Sequence, residues 1–317
     1  MMMKHTATVE SNGFNVLRWA RQTAIADRRT YSRKPRPLSM QRTLRLLHPD
    51  LRRPIFIIGA PRSGTTFLGA CLGELPEVSY HFEPVATKAA SQYVYARDWS
   101  MGQSRWFYRT VYRWLTRIHL DSDLRFAEKT PRNCFIIPFL AATFPDAQFV
   151  HIIRDGRDAA LSYSKKPWLQ AASAQSGRRE PGGYAYGPYA RFWVERDRIS
   201  EFEATSDIHR CIWAWRRFTE TALNAASSLP AHRYHELRYE QLVTHPNNES
   251  ERLLNFLGVA NLDSRTRLKR AIAEARQDSV GQWWRDLSSE QLHQIEQEAG
   301  SLLHKLGYHA EEIPCHD

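Results

Sequence analysis

The chain has 317 residues, 42% of them hydrophobic, a net charge of +10 and a pI near 9.6. That length is enough for a full core in one large α/β domain or two smaller ones. No apolar run reaches the ~18 residues needed to cross a bilayer, and residues 1–6 lack the apolar centre of a secretory signal.

Residues 1–53 hold twelve Lys/Arg against three Asp/Glu, so nine of the ten net charges sit on an N-terminal arm. A basic charge confined to an arm argues against a folded nucleic-acid face. The plain reading is a solvated, partly helical arm lying over the domain. A membrane-surface or acidic-partner contact is a second reading, because Phe14, Leu17, Leu44, Leu46 and Leu47 are interspersed with the arginines. An organellar transit peptide is a third. Cys71, Cys134, Cys211 and Cys315 lie far apart with no C-x-x-C spacing, which points to a reduced cytoplasmic setting and away from metal binding.

A domain is expected to begin at residue 54 and to run to 317. Residues 55–58 read as a buried strand, followed by a Gly/Pro/Ser turn at 59–66 and a helix over 67–75 stopped by Pro76. Residues 78–82 read as a second strand. A long aromatic-rich helical region spans 86–120. Residues 126–131 form a short strand ending in a turn, and 133–143 a helix despite Pro138. Residues 148–153 are the clearest strand after the first. The Gly/Pro/Tyr-rich stretch 165–192 is too long for a simple connection and suits a lid or specificity element. A helix over 209–227, with Trp213, Trp215 and Phe218 as core, precedes a strand over 233–239, and the remainder is mostly helical. Strands alternating with helices predict an α/β domain with a central parallel sheet flanked by helices, and ligands at the carboxyl ends of its strands.

Two segments carry chemistry. Gly59 and Gly64 have the spacing of a nucleotide-binding P-loop, but Thr65 stands where the lysine belongs, followed by Thr66, and a basic residue, Arg62, lies inside the loop. The strand–loop–helix layout aims backbone N–H groups at an oxyanion. The missing lysine argues against a triphosphate with magnesium. The second segment, 153–162, starts at a strand end, turns at Gly156 and enters a helix. Its Arg154 and Ser162 could meet on one anion.

Together these segments resemble the sulfotransferases that use 3′-phosphoadenosine 5′-phosphosulfate (PAPS). In that family a P-R/K-S-G-T-T loop binds the 5′-phosphosulfate, and a strand-end Arg with a Ser eight residues on binds the 3′-phosphate. Pro61-Arg-Ser-Gly-Thr-Thr66 and Arg154…Ser162 match in order and context. Arg238-Tyr-Glu-Gln-Leu-Val-Thr-His-Pro246 is similar to a family segment whose tyrosine lies near the adenine. Phe256-Leu-Gly258 and Val280-Gly-Gln-Trp283 match two later elements. The resemblance covers about residues 54–308 and not the arm. Arg62 in the loop looks more like the tyrosylprotein and bacterial branches than the cytosolic small-molecule one.

The resemblance implies a P-loop-like fold. It also implies in-line transfer of a sulfuryl group from PAPS to an acceptor hydroxyl or amine, releasing 3′-phosphoadenosine 5′-phosphate (PAP), with no metal required; the confinement of charge to the arm separately leads to the expectation of no nucleic-acid partner. It assigns the loop residues Arg62, Ser63, Gly64, Thr65, Thr66 and Phe67 to the phosphosulfate. Arg154 and Ser162 fall to the 3′-phosphate, Tyr239 to the adenine, and Gly281 and Trp283 to closure over the 3′-phosphate. Arg62 and Lys129 would stabilise the moving charge. The cytosolic branch's histidine base is missing from Lys129-Thr-Pro131, so Glu83 is the expected base and His81 its competitor. Structural alternatives are a salt bridge from Glu83 to Arg62 or Lys129, and from Lys129 to Glu128. Two rivals differ in class: a P-loop-like nucleotide kinase or NTPase, and a non-catalytic relative binding membrane or nucleic acid through the arm. The acceptor and the oligomeric state are open at this stage.

Overall fold

Residues Ile55–Ile58 form the central strand, β1, of a five-stranded sheet that is parallel throughout. The computed structural model describes residues 13–31, 36–37 and 39–309. Residues 1–6, Cys315 and the side chains of Phe14 and Leu17 lie outside what is described. In chain order the other strands are β2 (Val78–Phe82), β3 (Arg125–Lys129), β4 (Gln148–Ile153) and β5 (Tyr234–Arg238), arranged β2-β3-β1-β4-β5 across the sheet. Ile55 stands opposite Ala127 on one side and Gln148 on the other.

Side chains alternate across a strand, yet every residue of β1 and β4 is buried, so both faces of the sheet are covered. Ile55 and Ile57 pack into one core with Leu68, Leu72, Leu253 and Leu268. These come from α3 (Thr65–Gly73), α11 (Pro246–Leu257) and α12 (Leu262–Ala273), and α10 (Tyr239–Thr244) adds Leu242. Phe56 and Ile58 face the other core, with Tyr112, Leu140 and Trp215. That face carries α4 (Val85–Tyr95), α5 (Met101–Ile118), α6 (Ile137–Thr143), α7 (Gly156–Ser164), α9 (Asp207–Ala226) and α14 (Ser289–Lys305). Short helices α8 (Ile199–Ala204) and α13 (Trp283–Asp286) complete the domain. The helix after β1 lies on one face and the helix after β3 on the other, which leaves a crevice at the carboxyl end of β1. Trp213, Trp215 and Phe218 are core, as expected.

Two expected helices are interrupted. The 86–120 region breaks at residues 96–100, where Arg97 takes φ +62° and Ser100 begins α5 with a reciprocal capping box to Gln103. The 133–143 helix is a tight turn, Pro131–Phe135, followed by α6. Pro138 sits in the first turn of α6, where its missing N–H costs no helical bond.

The N-terminal arm supplies α1 (Gly13–Thr30) and α2 (Met40–Leu47). Trp19 is buried beside Tyr93, with ring centroids 6.1 Å apart. Thr23 accepts a hydrogen bond from the Ala86 amide at 2.9 Å, which docks α1 on the start of α4. Asp27 lies between His81 and His119, 3.1 Å from His81 Nδ1. Arg36 bridges Asp121 and Asp123. On α2, Leu44 and Leu47 are exposed. Among the described residues no helix is long and apolar enough to cross a membrane.

Candidate active site

The loop between β1 and α3 is shaped by two glycines. A Cβ on Gly59 would meet the Ile152 carbonyl at 2.4 Å, so β4 can lie close only because that atom is absent. Gly64, at φ +91°, would place a Cβ 2.6 Å from the Tyr239 ring. Gly64 is also the N-cap of α3 and offers no side chain to its first amides, so these stay available to an anion. Thr65 is buried while Thr66 is exposed, and Phe67 packs against the core behind them. Arg62 takes φ +71° inside the turn.

Arg154 leaves the end of β4 and is nearly buried. It donates from Nη1 to the Arg62 carbonyl at 3.0 Å and from Nη2 to the Ser279 carbonyl, and lies over the Tyr239 ring at 4.9 Å. Arg62 Nε in turn donates to Ser162 Oγ at 3.0 Å. Arg154 and Ser162, two residues of the second motif, thus both meet the first loop, though in this arrangement Ser162 is bonded to Arg62 rather than paired with Arg154. Arg62 keeps an exposed surface, but partial desolvation among its neighbours, and Arg154 beside it, lower its pKa.

The segment around Gly281 closes on the same place. Asp158 accepts from the Gly281 amide at 2.7 Å and the Trp283 amide at 3.0 Å. Tyr239 Oη pairs with Ser279 Oγ at 2.8 Å, and Arg157 stacks over the Trp283 ring at 3.7 Å. Arg62, Arg154, Ser162, Tyr239, Gly281 and Trp283 therefore converge from four distant parts of the chain.

Glu83 lies just past β2. Its φ of +39° and its amide bond to the Lys129 carbonyl at 2.9 Å turn the carboxylate toward the end of β3. It accepts from Lys129 Nζ and, at 2.7 Å, from Lys88 Nζ. Burial would raise its pKa, but the two ammonium groups hold it far below the ordinary carboxylate range. Lys129 is buried, which lowers its own pKa despite Glu83, and its Nζ sits 4.0 Å from the Phe82 ring centroid. Asn133, not Lys129, is the partner found for Glu128.

Alternation along β2 would put His81, the competing base, on the same face as Glu83, but the structure places it differently. It is fully buried, with Nδ1 on Asp27 and Nε2 on Ser79 at 3.0 Å. Alternation fails here because Glu83 has left the strand and rotated. The arm occupies the face His81 presents.

Sequence reasoning missed Lys88, Asp158, Glu180 and Ser279. Asp158 had a signal, since it follows Arg154 by four residues at the start of a helix. Lys88 and Glu180 had none, because a turn separates Lys88 from Glu83 and the long loop brings Glu180 back over α4.

Residues 54–264 match the model described as the sulfotransferase family. The chain is 23% identical over 221 residues to protein-tyrosine sulfotransferase A of Caenorhabditis elegans, covering 65% of this chain and 50% of that protein. It is 23% identical over 202 residues to the omega-hydroxy-beta-dihydromenaquinone-9 sulfotransferase Stf3 of Mycobacterium bovis, covering 63% and 45%. The chain spans about half the length of these curated relatives. Among solved structures, sulfotransferase STF9 from Mycobacterium avium superposes with a TM-score of 0.52 and 13% identity, over 94% of this chain and 88% of that one, which shows a common fold. With the family match running from the strand before the anion loop through α11, the chain belongs to the sulfotransferase family.

Proposed function

We propose that this chain transfers a sulfuryl group from PAPS to an acceptor hydroxyl (or amine), releasing PAP. The observation that carries the reading is the joining of Arg154, Arg62 and Ser162 into one donor surface, beside a carboxylate–lysine pair, Glu83 and Lys129. The residues suit the donor. Ser63 Oγ and Arg154 Nε are buried polar atoms with no hydrogen-bond partner among the described residues, and the amides opening α3 have no side-chain cap. An adenosine bisphosphate would use such donors.

In the proposed reaction the acceptor oxygen forms a bond to sulfur as the bond from sulfur to the 5′-phosphate oxygen breaks. The electron pair of that bond leaves with PAP, and the acceptor proton passes to Glu83. Arg62, Lys129 and the α3 amides offset charge on the sulfuryl and leaving-phosphate oxygens. Arg154 and Ser162 hold the 3′-phosphate, with Tyr239 at the adenine and Gly281 and Trp283 closing the edge. A carboxylate held by two lysines is ionised but weakly basic. Glu83 gains basicity when Lys129 turns from it to the sulfuryl oxygens, so donor binding readies the base.

The test is transfer from labelled PAPS to 4-methylphenol, a tyrosine peptide, an alkyl glucoside and a prenyl alcohol, alongside calorimetry with PAP. Transfer to at least one acceptor with PAP binding supports the reading. Magnesium-dependent ATP turnover with no response to PAP refutes it.

A further inference from the structure

The hairpin at 179–185 belongs to the long loop that the sequence marks as a lid or specificity element. It is held by a bridge between Arg179 and Ala185 and turns at Gly182 and Gly183, both at positive φ. Its tip rests on α4: a Cβ on Gly182 would lie 3.5 Å from Lys88 Cγ, and Tyr184 donates to Gln92 at 2.8 Å. Glu180 pairs with Arg132 at 2.8 Å and with Lys88 at 3.4 Å. Lys88 at the same time donates to Glu83 at 2.7 Å. A continuous chain of alternating charge thus runs from Lys129 through Glu83, Lys88 and Glu180 to Arg132.

We propose that Glu180 is a positioning residue for the transfer reaction: by sharing the Lys88 ammonium with Glu83, the docked lid sets how tightly the base is held. The proposal rests on the sulfuryl-transfer reading. One ammonium serving two carboxylates cannot neutralise either fully. With the lid docked, Glu180 draws part of the Lys88 charge off Glu83 and leaves it more basic. With the lid lifted, Lys88 belongs to Glu83 alone, and the base is silenced while the site is open to water. Glu83 is faced by Lys88 from α4, Lys129 and Glu128 from β3 and Tyr80 from β2, with Glu180 beyond Lys88 and Arg62 of the loop after β1 beyond Lys129. Of these, Lys88 alone bridges Glu83 to the lid. Burial opposes the charge on Lys88, but Glu83 and Glu180 together raise its pKa above the ordinary lysine value, as a shared ammonium should.

The test combines E180Q, K88Q and the double variant in the transfer assay at pH 7 with lysine-labelled NMR titration. E180Q should lower kcat about fivefold, a coupling typical of neighbouring charges, with PAP affinity unchanged and E180D largely restoring the rate. In the K88Q background the same change should leave kcat within about twofold of K88Q, because the ammonium through which it acts is gone. K88Q itself should move the acidic limb of the kcat–pH profile upward. The NMR signal of Lys88, identified by its loss in K88Q, should titrate at lower pH in E180Q. An equal loss of kcat from E180Q in both backgrounds, or an unmoved Lys88 titration, overturns the proposal. A parent with no transfer to any acceptor refutes the functional reading instead, and the Lys88 titration still decides whether the charge is shared.

Discussion

Replacing Arg154 with alanine isolates the proposed 3′-phosphate grip. Arg154 is 6% exposed, and its guanidinium donates to two backbone carbonyls, covers the Tyr239 ring and lies 3.9 Å from Asp158. Truncating one partner of a buried, hydrogen-bonded charge pair costs about 3 kcal/mol, so PAP affinity should fall about 100-fold. Calorimetry at 25 °C reads this directly. Arg154→Lys keeps the charge but loses the fork and should fall between the two. Ser162→Ala removes one hydroxyl donor and should cost about 1.4 kcal/mol, or about tenfold. The loss should also soften with salt less than a surface contact would, since the arginine is shielded from solvent. An Arg154→Ala protein that melts as the parent does and binds PAP within threefold of it refutes the grip.

Three other outcomes are expected. Glu83→Gln should lower kcat by about 10³-fold with PAP affinity preserved, and retained turnover would remove Glu83 as the base. Gly64→Ala forces a Cβ to within 2.6 Å of the Tyr239 ring at φ +91° and should destabilise by about 3 kcal/mol in urea unfolding. A loss under 1 kcal/mol would mean the ring moves freely. Asp27 is held down to about 2 from 3.8; burial opposes this, and His119 and His81 outweigh it. A depressed carboxylate stabilises above its unfolded pKa, so about 2 kcal/mol should be present above pH 3.8 and vanish as pH falls through about 2. Asp27→Asn should therefore weaken the fold at pH 5 and converge on the parent near pH 2. A pH-independent difference would refute the arm's charge clamp.

The fold was legible because its signals are local and strong. Residues 55–58 and 148–153 are short apolar runs bounded by turns, and their burial on both faces is what such runs encode. Helix ends were less legible. Nothing in an aromatic-rich stretch announces that Arg97 will adopt a left-handed backbone, although Ser100 and Gln103 do spell a capping box. Pro138 looked like an interruption, and the helix simply starts there.

The proposed anion-binding half of the site has its signal in a different place. Backbone geometry would do most of its chemistry, so glycine spacing and one strand-end arginine carry the message in a few adjacent letters. The charge network around Glu83 is written otherwise. Glu83, Lys88, Lys129, Arg132 and Glu180 come from β2's end, α4, β3, the turn after it and a distant hairpin. Their meaning lies in which ammonium meets which carboxylate, a matter of a few ångströms decided by tertiary packing. At 2.7 Å and 3.4 Å from its two acids, Lys88 divides its charge unequally. Coulomb energy falls with distance, so a shift of the hairpin changes that division. A sequence shows that Glu83 has basic company. Only the packed arrangement shows that one of those bases is shared with the loop that covers it.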